Sequence, residues 1–485
     1  MSFMSCSIKK ILVGLGLVTW LPAAFSFSLL GPAGPWQTAQ LNYGNGGDFE
    51  APMNLGEEYR WNTPILTYAF DPTFINYFGT NGIAEIEQAI KILNDLPPAS
   101  QMSDAYLNSL PLSTMGQNPQ AAALGLFDIK TEVLSELIRY MGLAIPEEFV
   151  FCLRSRTVIA NNTATNYAVL MRNFDPFTFT PTNVVNGNTY DYAIFDSNTG
   201  GPPNYDAEEV PFFFSTVASA NEFSLATGTF FNGLTRDDVG GLRYLYRTNN
   251  FNNETLLANV SLVTFTNTRA GSTSSGLSPY LPVLGGSVGV VVTNVPGITN
   301  AVTNTVINQA LRGGVDKIIL KRVNFDYLLG STFTPVTNIY TEKVLVRATN
   351  GSLRVVSQRV QRVSNSPDIV FVSADIGLGP GGLPFVFRNT STGGWNNNAG
   401  INSPSSPALN LGPGVITPQC NFTFQNLFPW IQNQFPGLVT GPPGLTIEVW
   451  GSFDDVSIKA IYPEYLNLTI QDLEAMYANS QGTVP

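Results

Sequence analysis

The stretch that decides the fold of this chain is Ser135-Glu136-Leu137-Ile138-Arg139-Tyr140-Met141-Gly142-Leu143-Ala144-Ile145, which ends an amphipathic segment. The segment begins at Asp128, a residue type that caps helix N-termini. Gly142 follows its last apolar residue, and glycine commonly ends a helix. The pattern therefore predicts a helix from about Asp128 to Met141, with one buried stripe formed by Ile129, Val133, Leu137 and Met141.

Two residues of this stretch have the spacing of a zinc-peptidase motif. Metzincin peptidases hold zinc with two histidines one helical turn apart and a third after a glycine turn, and a glutamate beside the first histidine is the general base. Aligned with this motif, Glu136 takes the position of the base and Gly142 that of the turn glycine. The ligand positions hold Ser135, Arg139 and Ile145, which do not bind zinc, so we predict no metal site and no catalytic residue here.

Segments on both sides of the motif resemble the catalytic domain of matrixins, a metzincin family. Upstream, an apolar strand from Ile65 to Phe70 precedes a helix predicted over Gly82–Leu96. Downstream, the run from Leu234 to Tyr246 (LTRDDVGGLRYLY) is similar to the closing matrixin helix, whose pattern is Leu-x-x-Asp-Asp-Ile-x-Gly-Ile-x-x-Leu-Tyr. The resemblance covers only the first half of the chain. It implies a zincin-like α+β fold with a retained cleft that binds a peptide without cutting it.

The chain departs from matrixins in two further respects. Metzincins carry a methionine turn beneath the metal, and Met171 is the only methionine between Gly142 and the closing helix. We interpret Met171 as a core side chain rather than as that turn. Nothing in the sequence resembles the cysteine-switch propeptide of the family.

Histidine is absent from all 485 residues. This absence excludes Ser-His-Asp and Cys-His hydrolases, zinc sites with histidine ligands and histidine general bases. The charges of the central helix also have a structural interpretation, because Glu136 and Arg139 are spaced i, i+3 and Glu132 and Glu136 i, i+4, as on a solvated face. We therefore expect an exported, non-catalytic structural or binding protein.

A secreted hydrolase that uses paired carboxylates, as glycosidases do, is the alternative function. Three acidic clusters are candidates: Asp206/Glu208/Glu209, Asp237/Asp238 and Asp454/Asp455. Each also has a structural interpretation, respectively as loop charges, a helix N-terminal turn and a β-turn. The oxygen-rich run Asp196-Ser197-Asn198-Thr199-Gly200-Gly201 lacks the spacing of an EF-hand calcium loop, so no cofactor is predicted.

The N-terminus has the pattern of a signal peptide. Lys9 and Lys10 precede an apolar run from Ile11 to Phe25, and Ala24 and Ser26 are small residues at a cleavage site. The run is shorter than the roughly 20 residues of a membrane-spanning helix, although a short membrane anchor is an alternative. We expect cleavage near Ser26 and a secreted, periplasmic or cell-surface protein with no membrane span.

Composition limits the partners. The chain has 24 basic and 35 acidic residues, and its net charge of −11 becomes 22 − 35 = −13 without Lys9 and Lys10. Such a surface repels nucleic acid, so the expected partner is an extracellular protein, peptide or glycan. Outside the signal segment lie Cys152 and Cys420, which form either a disulfide or two buried thiols.

The second half of the chain has a different pattern. From about residue 251, alternating runs such as Glu342–Arg347 and Leu353–Arg362 are separated by Gly, Asn and Pro turns, which favours an antiparallel sandwich. The predicted organisation is a signal peptide at 1–26, a matrixin-like α+β domain without a metal site at 27–250, an all-β antiparallel sandwich at 251–470 and a tail at 471–485.

Overall fold

The structure is a computed structural model. It describes residues 26–30, 58–146, 150–158, 165–185, 188–197, 204–210, 226–257, 259–262, 282–283, 291–292, 309–325, 333–347, 352–374, 387–389, 395–396, 415–426 and 449–463. Apart from Ser26, the predicted signal peptide lies outside these residues, as does the predicted tail at 471–485.

Helices are few in the described residues. Their bounds are α1 Pro72–Asn94, a 3₁₀ helix Ala99–Gln101, α2 Asp104–Ser109, α3 Pro119–Ala123, α4 Ile129–Tyr140 and α5 Arg236–Tyr246. The structure confirms the two helices predicted around the motif and at the end of the first half, and Asp128 and Thr235 cap them. α1 has two parts, because Gly79 has a non-helical φ of 57° and kinks the helix. The helix predicted from Gly82 corresponds to the part after the kink, and the part before it, which Asp71 caps by accepting a hydrogen bond from the backbone of Thr73, was not predicted.

Strands outnumber helices in the described part of the chain. In the first half they are β1 Phe27–Leu29, β2 Ile65–Phe70, β3 Met115–Gln117, β4 Leu126–Asp128, β5 Leu143–Ala144, β6 Phe151–Val158, β7 Thr165–Met171, β8 Asn173–Phe174, β9 Val184–Val185, β10 Asn188–Thr189, β11 Asp191–Ser197, β12 Asn204–Val210 and β13 Thr229–Phe231. In the second half they are β14 Asn252–Thr255, β15 Val260–Leu262, β16 Pro282–Val283, β17 Val291–Val292, β18 Gln309–Arg312, β19 Ile319–Arg322, β20 Val336–Arg347, β21 Leu353–Ser364, β22 Ile369–Ala374, β23 Phe387–Asn389, β24 Trp395–Asn396, β25 Val415–Ile416, β26 Cys420–Gln425, β27 Val449–Phe453 and β28 Ile458–Ile461.

A five-stranded sheet in the order β19-β2-β22-β26-β23 forms the centre of the fold. The first four strands are parallel, and β23 pairs antiparallel at one edge. β2 has the apolar sequence ILTYAF, which is typical of a strand covered on both faces. Its two neighbours, β19 and β22, come from the second half of the chain.

This sheet crosses the predicted division at residues 250 and 251. Ile65 is opposite Ile319, and Tyr68 is opposite Ile369. We predicted antiparallel pairing for the second half, whereas β19, β22 and β26 pair parallel, because a short apolar run does not reveal the direction of its partner. The described strands of the two predicted domains therefore form a shared sheet in a mixed α/β, β-rich fold.

A second five-stranded sheet, in the order β14-β18-β20-β21-β15, is antiparallel throughout. This part agrees with the predicted antiparallel character of the second half. β20 and β21 pair along their full lengths, from Val336 opposite Ser364 to Arg347 opposite Leu353. Even-numbered residues of β21 from Val356 onward are buried, so they point into the molecule.

α1 packs on the central sheet through aromatic side chains. The rings of Phe74 and Phe78 stack with centroids 4.6 Å apart, and Phe74 lies 5.7 Å from Phe424 of β26. The last residue of α1 also contacts the sheet: Nδ2 of Asn94 donates to the carbonyl of Leu320 at 2.9 Å, and the N–H of Leu320 donates to Oδ1 at 2.8 Å. Asn94 thus satisfies both backbone groups of Leu320 at the free edge of strand β19, although the Leu320 side chain is buried.

Candidate functional site

The residues of the zinc-peptidase motif lie on α4 and in the turn after it. α4 contacts α1, β5, β13 and β27, so it is enclosed on several sides. Ser135 and Glu136 are each 1% exposed, and Ile145 is buried as well. These motif positions are therefore part of the core instead of lining an open cleft.

Glu136 binds Arg139 on the same helix. Nη1 of Arg139 donates to Oε1 of Glu136, and both side chains are almost fully buried. Glu132, one turn before Glu136, is buried too. The prediction that these charges form a solvated face is wrong, because elements distant in sequence cover the polar side of α4.

Gly142 ends the helix, as predicted, but the contacts that require a glycine there involve segments outside the zinc-peptidase motif. Its φ is +106°, and a Cβ on it would lie 2.1 Å from the carbonyl oxygen of Tyr59. Its own carbonyl accepts a hydrogen bond from the N–H of Leu30 at 2.8 Å. The glycine is thus required where three chain segments approach each other.

Met171 is the last residue of β7, and 39% of its surface is exposed. The prediction that it is a core side chain is wrong. Successive strand residues point to opposite sides, and at this position the neighbouring Arg172 is the buried residue. From hydrophobicity alone, Met171 would be buried and Arg172 exposed.

The Asp237/Asp238 cluster is the first turn of α5, which confirms its structural interpretation. Oδ2 of Asp238 accepts from the N–H of Thr235 at 2.7 Å in a capping box. Oδ2 of Asp237 accepts from the N–H of Ser26 at 3.1 Å. Each carboxylate therefore has its own structural role.

The Asp454/Asp455 cluster lies in the turn between β27 and β28, also as interpreted. Oδ1 of Asp454 accepts from the backbone N–H groups of Val456 and Ser457 at 3.1 and 2.9 Å. These hydrogen bonds, with one from the Ser457 hydroxyl, hold the pKa of Asp454 below its usual range.

The remaining acidic residues lie on one hairpin. Asp206, Glu208 and Glu209 belong to β12, which pairs with β11, so their interpretation as loop charges is wrong; their side chains lie outside the described residues. Asp196 and Ser197, the first two residues of the oxygen-rich run, are the last two residues of β11. The rest of the run, 198–201, lies outside the described part.

Asp128 is a perturbed acid that we did not single out for chemistry. It is buried at the N-cap of α4, where it accepts hydrogen bonds from the N–H and the hydroxyl of Thr131 at 2.9 and 2.7 Å. Burial raises the pKa of Asp128 to about 6, although these hydrogen bonds oppose the shift. It acts within the fold as a cap.

Cys420 is a buried free thiol in β26, and its Sγ lies 3.6 Å from the carbonyl oxygen of Thr417. Burial raises the pKa of this thiol. Of the two alternatives, a disulfide or buried thiols, the structure shows a buried free thiol at Cys420. The side chain of Cys152 in β6 lies outside the described residues.

A network of buried acidic and basic side chains, which we did not predict, joins the segment before β2 to the antiparallel sheet. Nε of Arg60 lies 2.5 Å from Oε1 of Glu254. Nε of Arg312 lies 3.0 Å from Oε2 of Glu342, and its Nη1 donates to the backbone carbonyl of Glu254. Gln358 donates to the other oxygen of Glu342. Two arginines thus pair with two glutamates inside the protein.

A second buried pair lies on the same inward face. Both Nη atoms of Arg362 donate to Asp368, whose Oδ2 also accepts from the N–H of Thr67 in β2 at 2.8 Å. Through Asp368, this pair connects β21 of the antiparallel sheet to β2 of the central sheet. In the first network, burial raises the pKa of the Glu254 carboxyl, and the guanidinium of Arg60 opposes that shift.

The sequence contains a weak signal for this face. In β21 the inward positions alternate Val356, Gln358, Val360 and Arg362, and the outward positions mix aliphatic and basic residues in the same way. A period-two pattern separates two faces only when one of them is apolar. Here both are mixed, so the pattern does not identify the buried side.

A half-open apolar pocket lies where α1, α4 and α5 end. Leu93, Met102, Met141 and Tyr246 line it, with Lys317 at its side. The pocket has room for a small apolar group and presents no pair of carboxylates.

In the ranges that the structure describes, no three Cys, Asp or Glu side chains are close enough together to hold a metal ion. Among the described helices, none combines the length and apolar character needed to cross a membrane. No family model, curated protein or solved structure matches this chain.

Proposed function

We propose that this chain is an exported, non-catalytic structural or binding protein built on a degenerate matrixin-like peptidase scaffold. The Glu136–Arg139 ion pair carries the proposal. The carboxylate in the position of the general base binds a guanidinium in the position of a metal ligand. Because arginine stays protonated in proteins, a positive charge occupies the place where the peptidase motif requires a dication.

The burial of the motif supports the same function. A general base must come within hydrogen-bond distance of the proton that it removes. Glu136 is buried and ion-paired, and Ser135 beside it is equally buried. These residues stabilise the helix and its contacts, so a role in contact with partners suits the scaffold better than cleavage.

Export is supported by the sequence before β1. Two lysines, an apolar run and small residues at its end are typical of a signal peptide. Expression of the full chain in a secreting host tests this part: we expect the protein outside the cytoplasm in a shortened form. Full-length protein retained inside the cell contradicts export.

Metal analysis and peptidase assays test the non-catalytic part. We expect zinc far below one ion per chain, no cleavage of a peptide library and no change in either result for Glu136→Gln. Stoichiometric zinc, or cleavage that Glu136→Gln abolishes, contradicts the proposal. Hydrolysis of a polysaccharide that Glu208→Gln or Asp206→Asn abolishes supports the alternative hydrolase instead.

A further inference from the structure

The connection between β13 and α5 contains an Asn-Gly pair. Asn232 follows Phe231, the buried last residue of β13, and Gly233 comes shortly before Thr235, the N-cap of α5. Asn232 is exposed, and Gly233 is half-buried. A Cβ added at Gly233 would meet no atom within 4 Å. The space around the Gly233 backbone is therefore open.

Two chemical groups of this pair are unoccupied. In the part of the chain that the structure describes, neither the side-chain amide of Asn232 nor the N–H of Gly233 has a hydrogen-bond partner. These are the groups that react with each other when an asparagine loses its amide. The nitrogen of the next residue attacks Cγ of the asparagine, and glycine presents this nitrogen without a Cβ beside it. Because the two groups belong to neighbouring residues, the attack is intramolecular and needs no enzyme to bring them together.

Thr114 holds the main chain on both sides of the reacting atoms. Its carbonyl oxygen accepts from the N–H of Asn232 at 2.9 Å, and its hydroxyl donates to the carbonyl oxygen of Gly233 at 2.7 Å. Neither hydrogen bond uses the side-chain amide of Asn232 or the N–H of Gly233. The reactive link therefore lies between two anchored atoms and is itself free.

We propose that Asn232-Gly233 is a site of spontaneous deamidation in the folded protein. The nitrogen of Gly233 gives its proton to water or hydroxide and forms a bond to Cγ of Asn232. The Cγ–Nδ2 bond breaks, and Nδ2 takes up a proton from the solvent and leaves as ammonia. Water then opens the cyclic imide. Opening at Cγ gives aspartate at position 232, and opening at the main-chain carbonyl carbon gives isoaspartate.

The two products differ in their effect on the fold. Aspartate leaves the length of the main chain unchanged, so both hydrogen bonds of Thr114 are kept. Isoaspartate adds one carbon atom to the main chain between the two atoms that Thr114 holds, so at least one of these hydrogen bonds is lost. Asn232→Asp should therefore melt like the wild type, whereas aged protein that contains isoaspartate should melt at a lower temperature.

Asn81-Gly82 is the internal comparison within the described residues. This pair lies in α1, and Gly82 is buried. A Cβ added at Gly82 would lie 2.4 Å from Cβ of Phe78, so the backbone is enclosed there. Formation of a cyclic imide would require the helix to distort. We expect Asn81 to keep its amide as long as the protein is folded.

Incubation of the full folded chain at mildly alkaline pH, followed by digestion and mass spectrometry of the peptides, tests the proposal. We expect Asn232 to convert to the acid about tenfold or more faster than Asn81, and faster at higher pH, because the attacking nitrogen must lose its proton. Gly233→Ala should slow this conversion about tenfold, which corresponds to about 1.4 kcal/mol in the activation free energy. Peptide analysis separates this site from the Asn-Gly pairs at 45–46, 186–187 and 350–351.

Two controls accompany the measurement. Asn232→Gln should stay unchanged, because its longer side chain would have to close a larger ring. Gly233→Ala should fold like the wild type, since the added Cβ meets no atom, and its melting temperature checks this. Unfolding in urea should bring the rate at Asn81 close to the rate at Asn232, because it removes the helix around Asn81.

Conversion of Asn232 that is no faster than that of Asn81 in the folded protein overturns the proposal. Conversion that Gly233→Ala does not slow also overturns it, as does conversion of Asn232 only in urea, because the reactive site would then belong to the unfolded chain. The reaction does not depend on the structural or binding role proposed above.

Discussion

The backbone N–H of Ser26 donates a hydrogen bond to Oδ2 of Asp237, 211 residues further along the chain. Both residues are buried, and Oγ of Ser26 accepts a second hydrogen bond from Nδ2 of Asn173 at 3.1 Å. Ser26 is therefore anchored in the fold, although the sequence prediction placed it in the segment that is removed.

We accordingly predict that the secreted protein retains Ser26. Removal of this residue would leave Asp237 and Asn173 without these buried partners, at a cost of about 1–3 kcal/mol for each group. Intact-mass measurement and N-terminal sequencing of secreted protein identify the first residue. A mature chain that begins at Phe27 or later contradicts the prediction.

Asp128→Asn should change the pH dependence of stability. An aspartate titrates near 3.9 in an unfolded chain, and burial raises the pKa of Asp128 to about 6, so the folded state binds its proton more tightly. The stability due to this group is complete below about pH 4 and is lost as the pH rises through 6. Asn keeps an oxygen for the cap, so near pH 8 the variant should be more stable by about 3 kcal/mol, with little difference at pH 4.

Urea unfolding at several pH values measures this effect. Asp454→Asn is the control of opposite sign: the pKa of Asp454 is lowered, so its contribution is present at neutral pH and lost as the pH falls. If Asp128→Asn destabilises the protein equally at pH 4 and pH 8, the pKa of Asp128 is not raised in the folded state.

Single removal of Arg60 or Glu254 should be strongly destabilising. Arg60→Met leaves a buried carboxylate, and it also removes the donors to the carbonyls of Leu245 and Arg312 at 2.6 and 2.9 Å. We expect a loss of about 3–5 kcal/mol for Arg60→Met or Glu254→Leu, and a double variant that loses less than the sum.

A double-mutant cycle by denaturant unfolding checks this coupling. The exposed pair Arg322–Glu87 is the control, and its removal should cost about 0–1 kcal/mol. Additive losses for Arg60 and Glu254 would show that the two charges act separately.

Gly142→Ala should destabilise the fold by more than about 2 kcal/mol. The residue has a positive φ, and the new Cβ would overlap the carbonyl oxygen of Tyr59. Gly233→Ala is the matched control, because a Cβ there meets no atom within 4 Å. Thermal unfolding of both variants checks the difference, and equal melting temperatures would rule out the close approach at Gly142.

Asn94→Ala should promote aggregation as well as reduce stability. It leaves both backbone groups of Leu320 without the partner that covers this edge of the central sheet, and exposed strand edges pair with other chains. Asn108→Ala, at an exposed position in α2, is the control. Light scattering during storage measures the effect; equal scattering from both variants contradicts it.

Local signals in the sequence predicted the helices well. Asp128, Thr235 and Gly142 act within a few residues of their position, and the structure has α4 and α5 at the predicted places. The part of α1 before the kink at Gly79 was missed because Asp71-Pro72 is equally consistent with the end of a strand. The zincin-like domain is still a prediction from resemblance.

Long-range pairing could not be predicted. Ile65 meets Ile319 in a parallel pair, and nothing in either segment specifies the other. The buried pairs were missed for a related reason: Arg312 and Glu342 lie inside and contact each other, whereas a periodicity argument places charged residues outside. The burial of Glu136 likewise depends on elements far away in the sequence.

The position of β2 between β19 and β22 sets an order of events during synthesis. β2 is complete once residue 70 has emerged, but its neighbours follow only after residues 319 and 369, and β26 after residue 420. The central sheet is therefore assembled late, from segments with large sequence separation, which slows folding. Until these late strands have been synthesised, the central sheet cannot form, and the chain is still unfolded enough to pass through a narrow translocation channel. Late folding is therefore compatible with passage across a membrane.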